Sequence, residues 1–358
     1  MWKLPVLGIC LLSLCSCIRL DYYLHSITGH LQVLSKRQTI SSLLQETTTP
    51  AALQDQLKQI VAIREFASQQ LLLPRNGSYQ KYADLDRPYV VWNVVATPEF
   101  SLEPLQWNFP FVGVVSYRGY FDLNKAKQFA GSLDDDDYDS IIIGVPAYST
   151  LSWFDDPVLN TFSDWPAPAV AELIFHELAH QKLYIPDDTS FNESFATSVA
   201  QIGIDRWLQH KNDPALQLSH QDQTRRQQQF NNLLRTTRAE LQKLYRRDIP
   251  RQQMREEKQQ VFDNLKKNYQ QLRESWQGYT GYDGWFSQLN NARFASTDSY
   301  QRWVPAFQLA MQQEDNDLER FYRRCRVIAN LPAKTRHLLL DRLAADYRAN
   351  TSPKEQAQ

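Results

Sequence analysis

The chain has 358 residues, and its 39 Lys+Arg residues nearly balance its 40 Asp+Glu residues, for a formal net charge of −1. A nucleic-acid binder normally carries a basic excess, so this balance argues against nucleic acid as a partner. Hydrophobic residues make up 42% of the chain, which is enough for a packed core and excludes wholesale disorder. The chain contains neither GxGxxG nor GxxxxGK[ST], so no nucleotide-binding loop is predicted.

The N-terminus has the pattern of a bacterial lipoprotein signal. After a basic start, residues 4–14 form an apolar run that is too short to span a bilayer as a helix. The run ends in the letters LCSC at residues 14–17, which resemble a lipobox, so we expect cleavage before Cys17 and a lipid on Cys17. Ile18 follows rather than Asp, which by Gram-negative sorting rules favours the outer membrane, facing the periplasm. An ordinary secretory signal is the alternative.

Helices and strands are predicted in the segment that follows. Residues 21–75 carry apolar residues at helical spacings and predict helices. Residues 89–95 and 111–117 are rich in β-branched and aromatic side chains and predict strands. A short helix is predicted over residues 125–133, and a third strand, apolar enough to be buried, over residues 140–145.

The next helix carries the most informative motif, the letters HELAH at residues 176–180, with no Pro or Gly inside it. Residues four apart on a helix lie ~6 Å apart along its axis, so His176 and His180 can converge on one tetrahedral Zn²⁺. Glu177 lies about 100° around the helix from His176 and can serve a metal-bound water as general base. The alternative is a pair of structural histidines on a core helix.

A catalytic zinc site needs a third protein ligand and keeps one position open for water. Pro186 stands where a metzincin places its third histidine, which excludes that class. Glu193 is preferred as the third ligand, because the turn after His180 allows a second helix, predicted from Ser190, to return antiparallel. Alternatively, Ser190 and Glu193 form a capping box. The third ligand would then be one of two aspartates, Asp187 or Asp188.

Three further functions need polar side chains near such a site. A carboxylate often orients a ligand imidazole through its second nitrogen, and the candidates are Asp187, Asp188 and Asp205. The oxyanion of the transition state needs a donor beside the metal. The candidate donors are tyrosines: Tyr148, which we select, Tyr120 and Tyr184. Arg118 could pair with a substrate carboxylate or form a structural ion pair.

Gln, Arg and Lys dominate residues 209–275, where apolar residues recur sparsely at helical spacings. This pattern predicts two long amphipathic helices, and Ile249-Pro250 divides them into a hairpin. Their mixed charges favour a solvated face over a membrane or partner surface. A last helical part is predicted over residues 280–348.

The motif and its surroundings resemble the predicted aminopeptidases found as lipoproteins in Gram-negative bacteria, which are gluzincin-like zinc peptidases. The resemblance is carried by residues 175–181, 187–189 and 191–196, and extends through residues 79–84, 89–93, 98–102, 117–121 and 147–151. It implies a zinc site built from His176, His180 and Glu193, with Glu177 catalytic. The chain lacks the Gly-x-Met-x-Asn motif with which better-known gluzincin aminopeptidases hold the substrate amine, so aminopeptidase and endopeptidase activity both stay open.

The expected fold is α+β, a helix-dominated zincin-like metallopeptidase with a small β-sheet and a long helical hairpin insertion. The expected divisions are a lipoprotein signal peptide (1–16), a catalytic core (17–208), the hairpin (209–278), a C-terminal helical part of the catalytic unit (279–350) and a disordered tail (351–358).

The expected function is peptide hydrolysis by zinc-activated water with Glu177 as general base. The expected partners are a peptide substrate and, through the lipid anchor, a membrane. The rival expectation is a non-catalytic envelope lipoprotein, a scaffold or chaperone, with a structural or vestigial zinc site. The sequence predicts no oligomeric state.

Overall fold

The computed structural model describes residues 22, 25–109, 113–134, 138–150, 153–298 and 302–351. The predicted signal peptide, the predicted lipidation site Cys17 and residues 352–358 of the predicted tail lie outside these ranges. Helices dominate the described residues and the sheets are small, which confirms the α+β prediction. Within the described ranges, no helix combines the length and the apolar character needed to cross a membrane.

Three helices make up the first part of the described chain. They are α1 (25–35), α2 (Ile40–Gln45) and α3 (Ala51–Gln69). The short strand β1 (Gln38–Thr39) separates α1 from α2, which the helical periodicity over residues 21–75 does not predict. Leu57, Ile60 and Ile63 recur every three residues along α3 and are at most 1% exposed, so this face of the helix packs into the core.

Seven further strands and one helix follow. They are β2 (Lys81–Ala83), β3 (Val91–Pro98), β4 (Trp107–Phe109), β5 (Gly113–Val115), β6 (Arg118–Tyr120), α4 (Leu123–Asp134), β7 (Tyr138–Val145) and β8 (Val158–Leu159). In one sheet β2 pairs antiparallel with β1 and parallel with β8. In a second sheet β3 lies between β6 and β7, antiparallel to both, and β4 pairs antiparallel with β5.

The sequence correctly predicted β3, α4 and β7. The structure differs from the prediction in two respects, the division of one strand and the burial of another. The strand predicted over residues 111–117 is divided, because β5 ends at Val115 and β6 begins at Arg118. The prediction that β7 is buried is wrong for every residue except Ile141, since β7 is an edge strand of its sheet. An edge strand has a neighbour on one side, and its side chains are therefore partly exposed.

The helices that carry the candidate site are α5 (Ala167–Lys182) and α6 (Thr189–Lys211). The long pair α7 (Pro214–Tyr245) and α8 (Arg251–Ser275) follows, divided where Ile249-Pro250 predicts. The chain then forms a 3₁₀ helix (Asp283–Gln288) and four helices: α9 (Asn291–Asp298), α10 (Val304–Gln313), α11 (Leu318–Ala329) and α12 (Ala333–Thr351).

The main core unites distant parts of the chain. It contains buried residues of α2, α3, α5 and α6 together with buried residues of α10, α11 and α12. A separate cluster joins α7 and α8 to α9, around Phe230, Leu241, Phe262 and Phe294. The C-terminal helices α10 to α12 therefore share a core with the candidate site, whereas the helix pair α7–α8 has its own apolar contacts.

Candidate metal centre

Helices α5 and α6 pack closely because buried apolar residues of α5 and a glycine of α6 lie along their contact. Ile174 and Leu178 of α5 are 0% exposed, as the helical pattern predicts. Gly203 of α6 faces Phe175, and a Cβ atom at this glycine would lie 2.7 Å from the phenylalanine ring. Glycine is therefore required where the two helices approach each other.

The turn between the two helices reverses the chain after Pro186. Asp187 adopts a left-handed backbone with φ 64°, and its Oδ1 accepts a hydrogen bond from the Val114 amide at 2.9 Å. Gly113 leaves the space for this contact, because a Cβ atom there would lie 2.0 Å from that same oxygen. Strand β5 therefore holds the turn, and α6 returns antiparallel along α5.

This packing brings the side chains of His176, His180 and Glu193 together. The Nε2 atoms of His176 and His180 lie 3.1 Å apart. A carboxylate oxygen of Glu193 lies 3.3 Å from Nε2 of His176, and the other lies 3.7 Å from Nε2 of His180. The ligand atoms of the three residues all lie within 4.8 Å of one another.

These residues fit a zinc ion in spacing and in donor chemistry. Ligand atoms that are 2.0–2.1 Å from a tetrahedral Zn²⁺ lie about 3.3 Å from each other, close to the contacts found here. Two imidazole nitrogens and one carboxylate oxygen are ligands that zinc takes in catalytic sites, and three of them leave a fourth position open. Within the described residues, this is the group of His, Cys, Asp and Glu side chains that could hold a metal ion.

Burial and neighbouring charges set the protonation of the three residues. Burial lowers the pKa of His180 to about 4, which keeps its imidazole neutral with a free lone pair. Burial also opposes the charged form of His176, but the hydrogen bond and charge of Glu193 outweigh this and raise its pKa. Burial favours a neutral Glu193, but His180 and His176 outweigh this and lower its pKa, so the carboxylate stays ionised.

Glu177 differs from Glu193 in its surroundings. It is 8% exposed, and burial raises its pKa to about 7, with His176 lowering the pKa and the charges of Glu193 and Asp156 raising it further. Its carboxylate is not among the three converging ligand groups. The structure thus separates the two glutamates, with Glu193 against the histidine nitrogens and Glu177 beside them.

A buried polar network lies next to Glu177. Gln181, one turn after Glu177 on α5, donates hydrogen bonds to Asp156 at 3.0 Å and to the Ser78 hydroxyl at 3.2 Å. Tyr79 is 1% exposed and has a left-handed backbone with φ 63°, and its hydroxyl has no hydrogen-bond partner among the described residues. Burial and the charges of Glu177 and Asp156 raise the pKa of this phenol.

Both aspartates proposed as alternative third ligands are engaged elsewhere. Asp187 binds the Val114 amide. Asp188, not Ser190, is the N-cap of α6, and its side chain accepts a hydrogen bond from the Phe191 amide at 3.1 Å. The other carboxylate oxygen of Asp188 accepts from Arg336 at 2.6 Å and His337 at 2.8 Å. The geometry therefore favours Glu193 over either aspartate as the third ligand. It does not support a capping box of Ser190 and Glu193, because Asp188 is the N-cap.

The carboxylates predicted to orient a ligand imidazole are not in that position. Nδ1 of His180 is buried and has no hydrogen-bond partner among the described residues, so none of the three candidates binds it. Asp205 lies further along α6, where burial raises its pKa and the charge of His220 lowers it. The sequence could not predict which carboxylate bonds to a ligand imidazole, because this depends on the directions in which the side chains of α6 point in the folded protein.

The three candidate oxyanion donors differ in their contacts in the structure. The hydroxyl of Tyr148, the selected candidate, forms a 2.6 Å hydrogen bond with Nδ1 of His30. Tyr120 packs against Tyr22 and Phe129. The ring of Tyr184 lies 6.5 Å from the ring of His180, and burial and the charge of Glu193 raise the pKa of Tyr184.

The sequence reasoning missed Tyr117. Burial, followed by the charges of Glu193, Tyr184 and Glu177, raises the pKa of this phenol, so it lies within electrostatic range of the candidate site. Its position in the segment of residues 117–121 that carries the resemblance was the available signal. Arg118 lies over the rings of Tyr22 and Phe129, at 4.2 and 4.5 Å from their centroids, in a packing position.

The ion pair between Asp188 and Arg336 allows a stability prediction. Arg336 is 5% exposed, and Arg336→Ala would leave the buried Asp188 carboxylate without its main partner. Breaking a buried pair in this way costs ~3 kcal/mol or more. We expect a clear fall in the free energy of unfolding, measured by denaturant titration.

The matched control is Arg320→Ala, which removes an exposed pair with Asp315. Exposed pairs contribute ~1 kcal/mol or less, so this variant should unfold nearly as the wild type does. Equal, small effects of the two substitutions would show that Arg336 does not hold the start of α6.

A comparison with known protein families identifies the family of the chain. A family model described as "Putative aminopeptidase" matches residues 21–340. The chain belongs to this family. No curated protein and no solved structure matches it. The matched segment includes the candidate metal centre, α10, α11 and the first part of α12, and membership indicates a peptidase.

Proposed function

We propose that the protein is a zinc-dependent peptidase in which His176, His180 and Glu193 hold the metal ion. The observation that carries the proposal is the convergence of the three ligand atoms within 4.8 Å. Glu177 follows His176 on α5, and its carboxyl interacts electrostatically with His176 and Glu193. Membership of an aminopeptidase family supports the same activity.

The roles of the protein groups follow from their positions. Zn²⁺ bound to these three ligands would activate water as a nucleophile and polarise the peptide carbonyl. Glu177 would accept a proton from the attacking water on its carboxylate and then donate it to the leaving amine nitrogen. Tyr117 and Tyr184, whose phenols both interact electrostatically with Glu193, would be the hydroxyl donors for the developing oxyanion.

The direct test uses the purified protein. Metal analysis should find about one Zn²⁺ per chain. A mixed peptide library, followed by mass spectrometry, should then show cleavage that a zinc chelator abolishes. Bound zinc without cleavage of any peptide would favour the rival function, an envelope scaffold or chaperone with a structural or vestigial site.

We also propose that a lipid on Cys17 anchors the protein in the bacterial envelope, at the outer membrane facing the periplasm. Cys17→Ser should then remove the lipid label and release the protein from membranes or leave it unprocessed. Cys15→Ser is the matched control, because it keeps a small residue before the modified cysteine. Unchanged labelling and fractionation of Cys17→Ser would contradict the anchor.

A further inference from the structure

A buried arginine fixes the loop between α3 and β2. Arg64 of α3 is 6% exposed. Its guanidinium donates hydrogen bonds to the carbonyls of Pro74, at 2.7 Å, and Ser78, at 2.9 Å. Because both acceptors are main-chain oxygens, these bonds hold the course of the loop at two points.

The same loop is bound to the face of α5 that carries Glu177. Asn76 donates a hydrogen bond to Gln181 at 2.7 Å, and Gln181 donates to the Ser78 hydroxyl at 3.2 Å. Gln181 lies one helical turn after Glu177, so the two side chains leave α5 on the same face. Tyr79 is the next residue of the loop, and the contacts of Gln181 thus bring it to this face.

Tyr79 has two features that are unfavourable for folding. Its backbone is left-handed, with φ 63°, which is a strained conformation for an aromatic residue. Its side chain is 1% exposed, and its hydroxyl has no hydrogen-bond partner in the part of the chain that the structure describes. A buried polar group without a partner destabilises the folded state, and phenylalanine would avoid this cost. Strained residues persist where the surrounding structure enforces them, and they cluster at functional sites.

The Glu177 carboxyl is the acceptor that best matches this hydroxyl. Burial and then the charge of Glu177 raise the pKa of the Tyr79 phenol, and the charge of Asp156 has a smaller effect. Asp156 already accepts a hydrogen bond from Gln181 at 3.0 Å. The Glu177 carboxyl, by contrast, forms no hydrogen bond within the described residues. A buried donor and a buried acceptor, both unbonded, therefore lie within electrostatic range of each other.

We propose that Tyr79 is a positioning residue whose hydroxyl donates a hydrogen bond to the Glu177 carboxylate and orients it toward the attacking water. The inference rests on the proposed peptidase function. Catalytic hydrogen bonds are often long without substrate and shorten in its presence, so the bond forms in the complex with the peptide. Tyr79 acts through Glu177, because a side chain that is 1% exposed cannot touch a peptide. One carboxylate oxygen accepts from Tyr79, which leaves the other for the proton of the water.

Tyr79→Phe removes the hydroxyl and keeps the ring. We expect kcat on a library peptide to fall by about tenfold, the effect of one hydrogen bond to a charged group. KM and zinc content should stay at the wild-type values, because Tyr79 touches neither the peptide nor the metal ion. Denaturant titration should show that the variant unfolds no more easily than the wild type, since within the described residues the hydroxyl has no partner to lose.

Tyr322→Phe is the matched control. Tyr322 is 3% exposed, and its hydroxyl donates a hydrogen bond to the Leu71 carbonyl at 2.9 Å. This change also removes one buried hydroxyl, but it should lower the stability and leave kcat unaltered. If Tyr79→Phe gives the same result, with lower stability and full kcat, Tyr79 is a structural residue and the inference is overturned, while the peptidase function stands.

The double variant with Glu177→Gln shows whether Tyr79 acts through Glu177. If it does, adding Tyr79→Phe to Glu177→Gln should change kcat by less than about twofold, because the carboxylate that Tyr79 orients is already gone. A further fall by about tenfold would mean that Tyr79 contributes independently of Glu177, contrary to the inference.

A wild type that hydrolyses no peptide would contradict the peptidase function, and fluorine NMR then decides whether the Tyr79 phenol lies against the Glu177 carboxyl. In the full chain labelled with fluorotyrosine, the resonance of Tyr79 is the one that Tyr79→Phe removes. Glu177→Gln should shift this resonance, and Glu319→Gln, an exposed change on α11, should not. A resonance that stays unshifted in Glu177→Gln would refute the pairing of the two side chains.

Discussion

Glu177→Gln should lower peptide hydrolysis by ~10²-fold or more while zinc stays bound, which is the usual scale for losing a general base. Gln has the shape of Glu but cannot accept the proton of the attacking water. The Glu177 carboxyl lies outside the group of converging ligands, so the metal ion should not depend on it. The measurements are zinc content by metal analysis and kcat/KM on a peptide from the library.

The control for this change is Glu319→Gln in the exposed first turn of α11, which should leave zinc content and hydrolysis unaltered. Because the Glu177 carboxyl is buried, its neutral replacement should not destabilise the fold, and thermal unfolding checks this. Undiminished hydrolysis in Glu177→Gln would end the mechanism proposed here, whereas loss of zinc would make Glu177 part of the metal site.

Glu193→Ala should remove zinc and activity together. Loss of outer hydrogen-bond partners of metal ligands already costs 10–100-fold in affinity, so loss of a ligand should lower zinc affinity by more than ~100-fold. Competition with a chelator of known affinity measures this. His176→Ala, which removes a nitrogen ligand, should match it in zinc loss.

Asp187→Ala is the matched control for Glu193→Ala. It removes a nearby carboxylate whose bond to the Val114 amide holds the turn, so stability should fall, but the folded protein should still bind zinc. If Glu193 only caps α6, Glu193→Ala should instead leave zinc bound and lower the free energy of unfolding by ~1 kcal/mol. Zinc retained in Glu193→Ala and lost in Asp187→Ala would move the third ligand to the turn.

The local sequence was sufficient for most of the helices and for two of the three candidate metal ligands. Spacing alone places His176 and His180 on one face of a helix, because the helical repeat brings residues four apart into line. The same periodicity predicted the α7–α8 pair and its division at Ile249-Pro250, where proline ends the helical hydrogen bonding. These features depend on residues that are near one another in the chain.

Short strands and supporting side chains were harder to predict. Strands β1, β2 and β8 have two or three residues each and exist through pairing between segments that are far apart in the chain. A run this short carries no alternation that could be recognised in the sequence. Tyr117 and Tyr79 interact electrostatically with Glu177 for the same reason, through the packing of distant segments.

The local sequence could not decide which residue is the candidate third ligand. Ser190 and Glu193 match a capping box, and Asp187 and Asp188 are nearer to His180 in the chain, so residue type and spacing left all the carboxylates available. Arg336, 148 residues further on, and the Phe191 amide engage Asp188, while strand β5 engages Asp187. Gly203 lets α6 approach α5, and the Glu193 carboxylate then meets the two imidazoles. A helix repeat is a property of neighbouring residues, whereas the choice among carboxylates depends on contacts that form only when the whole chain is packed.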